Sequence, residues 1–194
     1  MSLFVSNTVK HRRMRGDAPV TCMLIIVGII VIGIACYYLL WYNRALERSI
    51  TGEDIVVKDN IDETSLQNYR RRVQSYLAPH TVAMVKETRR LCGPVLNDKV
   101  SNINDTDKDL EALITKFHDF IEDINEQTCP KKHQQMQKDL AMAIGHSWRA
   151  ACKCRSSLGE KDENKRKALI KEANEDLKKA VQYSKSGERL SVKI

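Results

Sequence analysis

From Val20 to Tyr42 the chain reads "VTCMLIIVGIIVIGIACYYLLWY", twenty-three residues without a formal charge. As a helix at 1.5 Å per residue this run is about 34 Å long, enough to cross a hydrocarbon core of ~30 Å. No other feature limits the fold so strongly. Lys10, Arg12, Arg13 and Arg15 precede the run, whereas Arg44 and Arg48 follow it with Glu47 between them, so the charge bias places the N-terminus inside. Tyr37, Tyr38, Trp41 and Tyr42 gather at the far end, where amphipathic rings prefer the interface. Gly33 and Ala35 give a small-x-small pattern before Cys36, but the apolar run is too long for a cleaved signal peptide and continues beyond that point. The expectation is an uncleaved signal anchor over 20–42 whose partner is the lipid bilayer. It contains no Asp, Glu, Lys, Arg or His, which removes the usual mark of an ion or proton path.

The first sixteen residues lack acids and carry basic and hydroxyl side chains, which also fits a mitochondrial transit peptide and gives the mitochondrial inner membrane as the alternative location. The preferred reading is a short basic cytoplasmic tail over 1–19, with the rest of the chain extracytoplasmic. Residues 43–61 mix Gly52, paired acids and polar residues and read as a stalk; "DIVVKD" within them is strand-like, with no second strand signal to pair with it.

From Asp62 the periodicity is helical. Leu66, Tyr69, Val73, Tyr76 and Leu77 share one face, Pro79 predicts a kink, the stripe resumes through Val82, Met84, Val85 and Leu91 to Cys92, and Gly93-Pro94 predicts a stop. A second helix is expected over 105–128, on Leu110, Ile114, Phe117, Ile121 and Ile124, with Asp105, Asp107 and Asp109 in its first turn, where the dipole favours acids. A third opens at Pro130 and runs through Met136, Leu140, Ile144 and Trp148 to about Ser157. A fourth starts at Asp162 and uses Leu169, Ile170, Ala173, Leu177, Ala180 and Val181. One apolar face per helix and short connections predict an all-α architecture: a transmembrane helix, a stalk and an antiparallel four-helix bundle over 62–184 with coiled-coil-like packing, then a flexible tail over 185–194.

The net charge of +7 mixes 32 basic with 25 acidic residues, so no specific nucleic-acid partner is implied. Charge is nevertheless segregated. Residues 105–128 hold eight acids against two lysines, and residues 129–155 hold six bases against one Asp. Packed antiparallel, these neighbours complement each other; a basic binding patch is the functional alternative.

Four cysteines follow the anchor, Cys92, Cys129, Cys152 and Cys154, and an even number outside the cytoplasm suits two disulfides. A Cys152–Cys154 bridge is disfavoured, because positions two apart on a helix point to different sides. The remaining connectivities pair Cys92 and Cys129 with one C-x-C thiol each. A metal site from Cys129, His133, His146, Cys152 and Cys154 is the alternative, although C-x3-H and H-x5-C-x-C are not zinc-finger spacings. No haem, phosphate-binding, hydrolase or metalloprotease motif is present, and no cofactor is expected. "NDT" makes Asn104 a glycosylation candidate if that part of the chain is luminal.

"LAPHTVAMVK" resembles the L-x-P-N-L-V-x-x-V-K stretch of LemA-type proteins, which are also N-terminally anchored and helical, and "WYNR" after the anchor is similar to their "YN". The likeness covers about ten residues plus that dipeptide, and the C-terminal signatures of that family are not found. The last helix is similar to the second helix of a tetratricopeptide unit, without a repeat at that period. No family is assigned. The function expected from the sequence is a scaffold, assembly factor or accessory subunit of a membrane complex. It acts through contacts with membrane or extracytoplasmic proteins, or as a homo-oligomer; the alternative is a metal- or thiol-dependent membrane enzyme.

Overall fold

The structure, a computed structural model, describes residues 23, 26–34, 36–37, 48, 55–125 and 127–194. The expected tail over 1–19, both ends of the expected anchor and most of the expected stalk lie outside the described residues. The chain divides into two compact units, residues 1–44 and 45–194.

In the first unit residues 26–34 are helical. Ile26, Val27, Ile29, Ile30, Val31, Ile32 and Ile34 are each 52–65% exposed, on every side of the helix. Among the described residues no helix is long and apolar enough to cross a membrane.

Among its described residues the second unit is all-α apart from one pair of two-residue strands. Helix α1 (Glu63–Arg72) is capped by Asp62, whose carboxylate accepts from Ser65 N at 2.9 Å. A π turn (Val73–Leu77) joins it to α2 (Ala78–Leu96) without a break. The buried positions explain this turn. Tyr69, Val73, Leu77 and Thr81 follow one another at spacings of four, which would drift off one face of a 3.6-residue helix; a wider turn keeps all four facing inward. Pro79 therefore does not split the rod: it is the second residue of α2, directly after the wider π turn.

The stop expected at Gly93-Pro94 is also displaced. Pro94 lies inside α2, which ends at Leu96, where Asn97 N and Lys99 N donate to Gly93 O and Pro94 O and Asp98 adopts φ 54°. A proline two residues from a helix end removes one backbone bond, and the left-handed Asp98 closes the turn beyond it.

Helix α3 (Ile103–Asn125), α4 (Gln134–Gly159, after a 3-10 turn at Lys131–His133) and α5 (Glu163–Ser191) complete the bundle. Asp162 caps α5 by accepting from Asn164 N and Lys165 N. Helix α4 is central, packing on α2, α3 and α5. Contacts between Arg155 and Asp107, Lys153 and Glu172, and Gln74 and Ser191 run in opposite sequence order, giving an up-down-up-down arrangement. Phe117, Leu110, Ile124, Leu140, Ile144, Val73 and Leu77 are fully buried at its centre.

Two boundaries differ from the sequence reading. Ile55 is buried in the core, and Val57–Lys58 (β1) pairs in parallel with Cys129–Pro130 (β2), so the end of the expected stalk packs on the bundle. The missing strand signal was two residues in the α3–α4 loop, too short for any periodicity. At the other end α5 continues to Ser191, where a flexible tail was expected after 184. Ala180, Ser184, Gly187 and Ser191 are buried along one face, and small side chains there bring α5 close to α4. A Cβ on Gly187 would lie 2.6 Å from Leu140 Cδ2.

Candidate functional site

The candidate thiol and histidine ligands occupy three separate neighbourhoods, all referred to α4. Cys129 precedes the helix. It is fully buried, its thiol donates to Pro130 O at 3.3 Å, and it stands 3.4 Å from Tyr69 Oη. Tyr69 donates to Gln137 Oε1 at 2.7 Å, and Gln137 Nε2 donates to Ile124 O at 2.8 Å, so this buried amide ties α1, α3 and α4. The His133 ring stacks on Tyr69 at 5.8 Å. Burial pushes the Cys129 thiol up, partly offset by the Tyr69 hydroxyl. A thiol so placed is an unreactive core group.

His146 lies three turns further along α4, on the face toward α5. Its Nδ1 is 2.7 Å from Asp176 Oδ1, Lys153 Nζ donates to Asp176 Oδ2 at 2.8 Å, and Lys153 also meets Glu172 at 3.0 Å. Arg149 Nη2 lies 3.1 Å from His146 Nδ1, and the Tyr183 ring stacks on the imidazole at 5.7 Å. Burial would raise the Asp176 carboxyl, but the His146 and Lys153 hydrogen bonds and the Lys153 and Arg149 charges outweigh it and hold the group at about 2. The cluster is an α4–α5 clamp made of paired charges.

Cys154 on the same helix is fully buried, as is Cys92 on α2; the neighbouring Cys154 thiol and burial push the Cys92 thiol up, and Cys92, Cys129, Cys152 and Cys154 are all free. Cys152 is half-buried, and desolvation pushes its thiol up to about 11. The two expected disulfides are not formed among the described cysteines: all four are free thiols, and Cys129 is held by Tyr69. Among the described residues no group of three or more His, Cys, Asp and Glu side chains could hold a metal ion. The five proposed ligands are spread along about 38 Å of chain if residues 129–154 are measured at the helical rise.

Charge complementarity between α3 and α4 is narrower than expected. Arg155 reaches Asp107 at 2.9 Å and Glu111 at 3.2 Å, but Arg149 and Lys153 turn toward α5. Asn104 is exposed in the first turn of α3, its backbone N–H bonded to Asn102 Oδ1.

A surface cleft escaped the sequence reading. Between α2 and α3, Tyr76, His80, Met84, Leu113 and Phe120 line a cavity of about 420 Å³ with Asp119, Lys116 and Glu87 at its rim. Tyr76, placed on the core stripe by its spacing, is exposed: its ring stacks on His80 at 5.3 Å and meets Phe120 edge-on at 5.8 Å, and its hydroxyl donates to Asp123 Oδ2 at 2.7 Å. The wider π turn moves Tyr76 off the buried stripe, a shift that a 3.6-residue period cannot register.

With this geometry in hand, comparison with protein families, curated proteins and solved structures finds no match for the chain.

Proposed function

We propose that this chain is a single-pass membrane-anchored helical protein that acts through protein contacts, as a scaffold, assembly factor or accessory subunit of a membrane complex. The N-terminal tail faces the cytoplasm, residues 20–42 lie in the bilayer, and the bundle stands outside. The observation that carries the reading is the helix over 26–34, whose isoleucines and valines are exposed on all sides. A helix apolar all round is a buried or lipid-facing element, and seven exposed branched side chains exceed what a monomer leaves in water. The uncharged run around it and the basic residues before it agree.

For the bundle, the support is how its chemistry is disposed. The buried polar groups Gln137 and Asp176 hold helices together, while the aromatic cleft at Tyr76 offers a half-exposed tyrosine above an apolar floor. Tyrosine in such a setting is the side chain most suited to a contact surface.

The test has two arms. Alkaline extraction of membranes followed by labelling of intact cells with an impermeant reagent at an engineered cysteine, Gln182→Cys at an exposed position of α5, reports anchorage and sidedness. Release by alkali, or labelling only after permeabilisation, sinks the topology. A photocrosslinking amino acid at position 80 is expected to give discrete adducts with another protein or a second copy. Adducts to lipid or solvent alone would refute the contact role.

A further inference from the structure

We infer that the outer face of α5 is a docking surface for anionic phospholipid headgroups, along which the bundle lies on a bilayer. Lys167, Lys171, Lys178, Lys185 and Arg189 are all exposed, and their spacings of four, seven, seven and four residues return to one side of the helix. Asn174 and Gln182 fill the two longer intervals on that side, so neither an acidic nor an apolar side chain interrupts a line about 33 Å long.

The acids of α5 are placed away from this line. Lys153 of α4 bridges Asp176 and Glu172 at 2.8 and 3.0 Å, Glu163 pairs with Lys167 at 2.7 Å, and Glu175 and Glu188 stand to either side. Lys171, Lys178, Lys185 and Arg189 have no ion pair among the described residues. Lys167 with Lys171, and Lys185 with Arg189, are like charges four apart, an arrangement that destabilises a helix. The fold gains nothing from such a line, whereas an external anion relieves its repulsion. On α2, Val85 packs with Ala180 of α5, and beside it Lys86 and Arg89 are exposed, which widens the positive face.

The form of the line selects the partner. A rod laid on a plane touches it along one line, which is what the basic residues of α5 occupy. A single-stranded nucleic acid is held instead in a positive groove with aromatic rings for its bases; this face is convex and carries no ring. Four of its five charges are lysines, compact ammonium groups on long stems that reach phosphate oxygens, and the lack of apolar residues keeps the helix at headgroup level without insertion. Nearness of the bilayer rests on the anchored reading proposed above, though not on its sidedness. Twelve residues separate Tyr42 from the buried Ile55, so Ile55 stays within about 45 Å of the anchor's end even at full extension. That connection turns lipid binding into an intramolecular event at high effective concentration, where weak attraction per lysine is enough.

The full chain is assembled into lipid nanodiscs of phosphatidylcholine alone, or of phosphatidylcholine with about one third phosphatidylglycerol. Discs leave both leaflets open, so the orientation of the anchor does not enter. A short pulse of an amine-acylating reagent, then digestion and mass spectrometry, reads the reaction rate of each lysine, with the exposed Lys108 and Lys116 of α3 as internal references. Relative to these, Lys171, Lys178 and Lys185 are expected to react about threefold or more slowly in the anionic discs, and the difference is expected to vanish in 0.5 M salt. Lys178→Gln combined with Lys185→Gln is expected to abolish the difference at Lys171 with helicity unchanged. Equal rates in the two discs, or a difference that survives in the double variant, overturns the inference and leaves the anchor standing. Protection by a DNA duplex or polyglutamate added to neutral discs, in place of protection by anionic lipid, overturns it in favour of those partners. A chain that stays in solution while the discs form overturns the anchored reading, and this inference with it.

Discussion

His146 Nδ1 stands 2.7 Å from Asp176 Oδ1, and this one contact, flanked by Lys153 and Arg149, is the polar centre of the α4–α5 interface. The antiparallel pair closes through a three-residue turn. The clamp then fixes the rotation of each helix about its axis, because a His and an Asp can meet in only one register. The Tyr183 ring above the imidazole covers it from solvent.

The acid limb of stability follows from Asp176. Its carboxyl is held at about 2 in the fold, against an ordinary value of 3.8. A depressed carboxylate contributes stability that is complete above about pH 4 and lost as pH falls toward 2. The contribution is about 2 kcal/mol. Urea unfolding of the full chain at pH 7 and pH 2.5 is expected to show that loss, and Asp176→Asn is expected to remove most of this pH dependence while lowering stability at pH 7. An unchanged acid limb in the variant would mean that other carboxylates govern it.

Gly187 tests the closeness of α4 and α5. In an open helix Gly→Ala stabilises by about 1 kcal/mol; here the new Cβ would meet Leu140 Cδ2 at 2.6 Å and Cγ at 3.0 Å. Gly187→Ala is therefore expected to destabilise by about 1–3 kcal/mol. Combining it with Leu140→Ala should cost less than the sum of the two single changes, a non-additivity readable from thermal melts.

Gln137 carries a different liability. Fully buried, it accepts from Tyr69 Oη and donates to Ile124 O. Gln137→Ala strands both partners and is expected to cost about 2–4 kcal/mol. Tyr69→Phe leaves one acceptor unfilled and is expected to cost about 1–2 kcal/mol by the same measurement.

Arg155 gives the contrasting case. Its bridges to Asp107 and Glu111 join α4 to α3, but all three side chains are at least a third exposed. Arg155→Met is expected to shift stability by less than about 1 kcal/mol, and the shift should shrink further in 0.5 M salt.

The four rods of the bundle were legible in the sequence because each is an amphipathic stripe, and the stripes of α3 and α4 name Leu110, Phe117, Leu140 and Ile144 as core. Three kinds of feature were not. Proline and glycine punctuation misled at 93–94, since a helix near its end tolerates a proline that local rules treat as a stop. The two-residue pairing of Val57–Lys58 with Cys129–Pro130 has no period to detect. The last helical turns of α5 rest on Ser184, Gly187 and Ser191, residues whose value lies in what they leave out, and hydropathy records only what is present. The thiols show the same limit: an even number of cysteines does not say which helix face a sulfur occupies, and Cys129 proved to belong with Tyr69.

The wide turn at Val73–Leu77 has a further meaning for the first rod. Each extra residue in a helix advances everything downstream by about 100°, and here one such advance is taken up locally, like play in a gear train. Shortening the turn by one residue would leave α1 seated against Gln137 and swing Thr88 and Cys92 out of the interior. The rod would still be a helix of good composition; it would mesh with the wrong teeth.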